Sequence, residues 1–169
     1  APAARRNNAL ILQYATPHAD LLWPQAGQYG FFVAAARAYR DAGYRNLRLK
    51  LHPGPSKVDY YQRIAELFDI DCDIVIEGPF MDHVDWADSV TGPVHSGAML
   101  EVMRAGKPYL PALYGPNAIN RDYLDAAILI ENDGALETAI LGGEKQDART
   151  TLERFASAVS IPDPAKAAW

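Results

Sequence analysis

Asn46-Leu47-Arg48-Leu49-Lys50-Leu51-His52-Pro53-Gly54 alternates polar and apolar side chains and then stops on a proline and a glycine. A period of two sets alternate side chains on opposite faces, as a strand requires. Pro53 ends it, because its ring fixes φ and removes an amide donor. Upstream, residues 29–42 are rich in Ala and aromatic side chains and run into Gly43, which predicts a helix with a glycine stop. Residues 16–27 read as a polar, proline-bearing loop, and the short apolar run 8–15 as a buried strand. Downstream, Ser56 is expected to cap a helix that carries Tyr60, Ile64, Leu67 and Phe68 at helical spacing. Residues 73–77 then form a short strand that Gly78-Pro79 interrupts, and 89–92 a weaker one. A helix over 97–104 closes on Gly106. Two more strands are expected at 108–113 and 127–130, the first short or near a sheet edge because of its prolines. Closing helices are expected at 134–141 and 147–159.

Strands that alternate with helices imply a mostly parallel sheet covered on both faces. The expected fold is a three-layer, Rossmann-like α/β domain over residues 1–160, with an Ala- and Pro-rich tail at 161–169. The 169 residues suit one domain, and 49% hydrophobic against 22% charged residues suits a packed core rather than disorder. The net charge is -5, and no Lys/Arg cluster is large enough to neutralise a duplex backbone, so no nucleic-acid partner is expected. Cys72 is the single cysteine, which excludes an intrachain disulfide and any multi-cysteine metal site and is compatible with a reducing, cytoplasmic setting. No apolar run approaches the roughly 20 residues a membrane span needs. The first residues, Ala1-Pro2-Ala3-Ala4-Arg5-Arg6, lack a long apolar stretch behind them and do not read as a signal peptide. With no initiator Met, the expectation is either a piece of a longer protein or a processed start.

Ligands of parallel sheets bind outside the carboxyl ends of the strands. His52 closes a strand at such an end, where its imidazole could donate to a phosphate or a leaving group; a plain strand-end histidine bonded to a carbonyl is the open alternative. Lys50, Pro53 and Gly54 belong to the same turn. Gly92-Pro93-Val94-His95-Ser96-Gly97-Ala98-Met99-Leu100-Glu101 reads as a strand, a small-residue turn and a helix start. The first amides of that helix lack internal partners and carry partial positive charge, which suits an anion. Ser96 could cap the helix or contact a phosphate. Glu101, one turn in, could accept from a ribose diol or be an ordinary exposed glutamate. Lys107 could add charge near phosphates or complement the preceding helix end. Glu77 could face the ligand or pair with Lys50 or Arg48. Asp82, His83, Asp85 and Asp88 match no metal motif and read as a solvated, capped short helix; no metal site is expected.

Taken in order, His52-Pro53 after a strand, the run Ala87-Asp88-Ser89-Val90-Thr91-Gly92 leading into Ser96–Glu101, and Gly106-Lys107-Pro108 resemble the carboxy-terminal half of bacterial glycosyltransferases with two facing Rossmann-like domains, the GT-B type. The resemblance spans residues 47–113. The His-Pro pair is similar to that of bacterial sialyltransferases and capsule Kdo transferases, where it contacts a cytidine-monophosphate sugar. This resemblance implies a nucleotide-sugar donor site for surface polysaccharide synthesis. His52 would contact the donor phosphate and stabilise the departing nucleotide. Gly92, His95 and Ser96 with the amides of Gly97 and Ala98 would cradle the phosphate, Glu101 would bind ribose, and Lys50, Pro53, Gly54 and Lys107 would flank them. No cofactor is implied. The implied partner is an amino-terminal acceptor domain that supplies the general base, and attachment to a membrane surface is left open. Two alternatives remain at this point. Sugar-nucleotide 2-epimerases share the architecture, but the Val102 that follows Glu101 departs from their consecutive acidic pair. A non-catalytic nucleotide- or phosphate-binding module of the same fold is the other.

Overall fold

The computed structural model describes residues 7–13, 25–54, 57–93, 97–112 and 133–142. Within them the chain runs β1 (Asn8–Leu12), α1 (Gln25–Asp41), β2 (Asn46–Lys50), α2 (Val58–Leu67), β3 (Asp73–Val75), α3 (Phe80–Trp86), β4 (Ser89–Pro93), α4 (Gly97–Arg104), β5 (Tyr109–Ala112) and α5 (Asp133–Gly142). The five strands form one sheet in the order β3-β2-β1-β4-β5, and each of the four pairings is parallel. The fold is therefore a Rossmann-like α/β sheet with helices on both faces.

The sheet has two apolar faces because its central strand is apolar on both. Ala9 and Ile11 of β1 join Leu47 and Leu49 of β2 on one face, against Phe31, Phe32 and Tyr39 of α1, Tyr61 and Ala65 of α2, and Leu136 and Ile140 of α5. Leu10 and Leu12 point the other way, with Val90 and Tyr109, against Val84 of α3 and Met99, Val102 and Met103 of α4. A strand buried on both faces reads as a continuous apolar run, which is what Ala9-Leu10-Ile11-Leu12 is. The register places Leu12 opposite Lys50 and Ile11 opposite Thr91.

Most element ends follow from local chemistry. α1 and α4 stop at Gly43 and Gly106, whose φ of +88° and +71° lie in the left-handed region that glycine enters without a β-carbon clash. α1 begins at Gln25, four residues before the expected 29, because glycine inside a helix costs only about 1 kcal/mol. The strands are shorter than the sequence suggests. β1 and β2 end together at Leu12 and Lys50, where their pairing ends, rather than at 15 and 52, and β3 ends at Val75 rather than 77. The cap position of α2 belongs to Lys57, which makes no side-chain cap bond, while Ser56 lies outside the described residues. The strand expected at 127–130, the helix at 147–159 and the tail at 161–169 also lie outside them. No helix among the described residues is long and apolar enough to cross a membrane.

The acidic segment before β4 differs from the expected solvated helix. α3 holds Asp82, His83 and Asp85, but His83 is buried, with Nδ1 3.2 Å from Arg48 and Nε2 3.0 Å from the Glu77 carbonyl. Arg48 lies over the Trp86 ring at 4.0 Å and donates to Asp73 at 2.9 Å, and Lys50 donates to backbone carbonyls, so the carboxylate partner of Arg48 is Asp73 rather than Glu77. Asp88 stands outside the helix. Its carboxylate accepts from the backbone amides of Asn7 and Asn8, both at 3.0 Å, and ties the start of β4 to the start of β1.

Candidate functional site

The strand order reverses between β1 and β4. From β1 the chain moves outward through β2 to β3, then returns across the sheet to β4 and moves outward again to β5. At such a switch point the following loops part and leave a crevice outside the carboxyl ends. Gln13 follows β1, residues 51–54 follow β2, and three residues separate the end of β4 from the start of α4. Residues 14–24 and 94–96 lie outside the described residues. His95 and Ser96 are among them.

At the β2 end three hydrogen bonds shape the turn. The Gln13 amide donates to the Lys50 carbonyl at 3.0 Å, which closes β1 onto β2. The Gln13 side-chain Oε1 then accepts the His52 amide at 2.9 Å. Gly54 N–H donates to His52 Nδ1 at 3.0 Å. His52 and Pro53 are exposed at the rim. A β-carbon on Gly54 would meet Nδ1 at 3.0 Å, so the lack of a side chain lets the ring lie over the turn.

Lys50 takes a different role from the expected one. Its side chain is buried to 8% exposure, and its ammonium donates to the Ile76 and Leu51 carbonyls. Burial lowers its pKa from the usual lysine range. An ammonium that donates to these two carbonyls braces the β2 and β3 ends.

The β4 side divides in two. Gly92 is buried, and a β-carbon there would come within 2.7 Å of both Leu12 Cβ and Tyr109 Oη. Its smallness serves packing beneath the rim rather than ligand contact, and Tyr109 Oη donates to the Pro93 carbonyl at 2.9 Å through the space this leaves. Gly97, by contrast, is exposed at the start of α4, with nothing within 4 Å of a would-be β-carbon. Ala98 follows it, and Glu101 is exposed one turn in. The first-turn amides of α4 have no acceptor within the helix and face the carboxyl edge of the sheet.

Lys107 is not with them. It precedes β5 and so lies at the amino edge of the sheet, where its ammonium donates to the Asp85 and Ala87 carbonyls at 3.0 and 2.9 Å. This completes the C-terminal end of α3, which is the helix-end role rather than the phosphate role. The structure thus brings His52, Pro53, Gly54, Gly97, Ala98 and Glu101 to one edge, sets Lys50 and Gly92 beneath it, and places Lys107 at the far end. Sequence reasoning missed Gln13, whose only signal is that its polar side chain interrupts the first apolar run, residues 8–15. Among the described residues no group of three or more His, Cys, Asp and Glu could hold a metal ion.

No protein-family model matches the chain, and no curated protein does. Solved structures do. The catalytic domain of cholesterol-alpha-glucosyltransferase from Helicobacter pylori superposes with a TM-score of 0.52 at 16% identity, over 91% of this chain and 99% of that one. The glycotransferase of kitacinnamycin gives 0.56 at 16% identity, and the glycosyltransferase SnogD from Streptomyces nogalater 0.50 at 17%. At these identities the likeness concerns the fold alone, the parallel Rossmann-like α/β sheet that the chain shares with these glycosyltransferase structures. The chain covers 41% of the length of each of the latter two neighbours, against nearly all of the first.

Proposed function

We propose that this chain is the donor-binding half of a bacterial GT-B glycosyltransferase and that it holds a nucleotide-sugar outside the carboxyl ends of β1, β2 and β4. The carrying observation is that the switch point is flanked on one side by the His52 ring and on the other by the amino end of α4 with Glu101. Each suits one part of such a donor. Oriented amides stabilise a phosphate without a fixed cation, a ring N–H adds one directed donor, and a carboxylate one turn into the helix suits a ribose diol. Transfer of the sugar builds negative charge on the departing phosphate oxygen, and preorganised donors lower the barrier to it. Of the residues expected at the site, Lys50, Gly92 and Lys107 support the scaffold, while His95 and Ser96 stay with the proposed phosphate cradle.

The acceptor hydroxyl also needs a general base. In this reading the base belongs to a second, amino-terminal domain, and the acceptor, the surface-polysaccharide role and a cytoplasmic location are parts of the same proposal. The test is calorimetry with cytidine, uridine and guanosine nucleotides. At least one is expected to bind, and His52→Ala and Glu101→Ala are each expected to weaken it about tenfold, as loss of a hydrogen bond to a charged group does. Binding that survives both substitutions would refute this site and leave the fold untouched; no binding of any nucleotide would refute the function. The same samples, given a nucleotide-sugar and candidate acceptors, are expected to show no turnover.

A further inference from the structure

We propose that Gln13 is a positioning residue for His52, and that the turn it fixes holds the imidazole as a hydrogen-bond donor through Nε2. The inference deepens the donor-site reading and rests on it for the identity of what Nε2 meets.

A neutral imidazole carries one N–H and one bare nitrogen, and which is which follows from the partner of either. Gly54 presents an N–H to Nδ1 at 3.0 Å. A backbone amide can only donate, so Nδ1 is the bare nitrogen and the proton sits on Nε2. A base must offer a lone pair, and the Nδ1 lone pair is already taken by Gly54. What remains is a directed donor.

The ring can hold this arrangement only if residues 52–54 stay folded over. Two contacts from Gln13 ensure that. Its backbone amide binds the Lys50 carbonyl at 3.0 Å, and its side-chain Oε1 binds the His52 amide at 2.9 Å. Both ends of the turn's first half are thereby fixed to the end of the central strand. For a phosphate ligand the consequence is that His52 contributes a directed donor.

The experiment is NMR on the unliganded, ¹⁵N-labelled 169-residue chain at pH 8, followed by nucleotide titration. Long-range proton–nitrogen correlation of the His52 ring is expected to show the Nε2–H tautomer alone, with a scalar coupling across the hydrogen bond from Gly54 N–H to Nδ1. Gln13→Ala is expected to abolish that coupling, populate both tautomers and weaken nucleotide binding about fivefold to tenfold, the worth of one hydrogen bond, while resonances away from the turn stay in place. Gln13→Glu keeps the acceptor oxygen and is expected to restore the coupling. Gly54→Ala, which crowds Nδ1, is expected to abolish it with Gln13 intact. A proton on Nδ1 or a tautomer mixture in the unmodified chain overturns the donor assignment. A Gln13→Ala variant with unchanged coupling and tautomer overturns the positioning role. Failure of every nucleotide to bind would defeat the donor-site reading alone, because the ring is read without ligand.

Discussion

A β-carbon added at Gly92 would press on Leu12 and Tyr109 at 2.7 Å, and both neighbours are themselves packed between sheet and helices. Gly92→Ala is therefore expected to cost about 1–3 kcal/mol, the usual penalty of overpacking, read as a lower urea midpoint. Titratable residues inside the core set a second expectation. Burial raises the phenols of Tyr39 and Tyr61 above the usual tyrosine range and pushes the Cys72 thiol up to about 12. These groups lose their protons more readily unfolded than folded, so their contribution to stability is full below their unfolded pKa values and is lost as pH rises above about 9 to 10. Alkaline unfolding followed by tyrosinate absorbance is expected to be cooperative, with a shallower loss in Tyr39→Phe. Alkylation of Cys72 near pH 7.5 is expected to be slow for the same reason. At this scale the sequence was informative about residues that end strands. His52 and Gly54 could be placed at a rim from Pro53 alone. Gln13 could not, because its role depends on where β1 stops against β2. The contacts of Lys50, Gly92 and Lys107 were not legible, because sequence position does not say whether a long side chain reaches outward or folds back onto carbonyls, or which neighbours a glycine lies against.

Among the elements, α4 gives the sharpest separation of folding from binding. Nothing lies within 4 Å of a β-carbon at Gly97, so Gly97→Ala is expected to leave the fold intact and to stabilise it by up to about 1 kcal/mol through helix propensity. In the donor-site reading the same methyl stands where a phosphate approaches the first amides, so nucleotide affinity should fall while the melting temperature does not. A drop in both would mean that Gly97 serves packing. The strand and helix sequence was largely legible, because period-two and period-3.6 patterns survive in β2 and α2. β4 looked weak, since its Ser, Thr, Gly and Pro lack a strand's usual composition, yet all five of its residues are buried. Its polar groups are satisfied inside: Ser89 Oγ bonds Tyr39 Oη at 3.0 Å and Thr91 donates to the Leu110 carbonyl at 2.9 Å. Such pairing is invisible to a hydrophobic count.

For the molecule as a whole, alternation of element types was enough to infer a parallel sheet, and the observed order adds the switch point that alternation cannot locate. The same order also has a consequence for how the chain is made. The centre of the sheet joins β1 to β4, and the Asp88 carboxylate that binds the Asn8 amide is 80 residues away along the chain. A ribosome delivers β1 early and β4 only after α1, β2, α2, β3 and α3 have emerged. Until then one edge of the most apolar strand stands unpaired, a hazard for self-association. Slow translation ahead of β4, or a truncation before Asp88, should therefore favour aggregates or chaperone capture over soluble product.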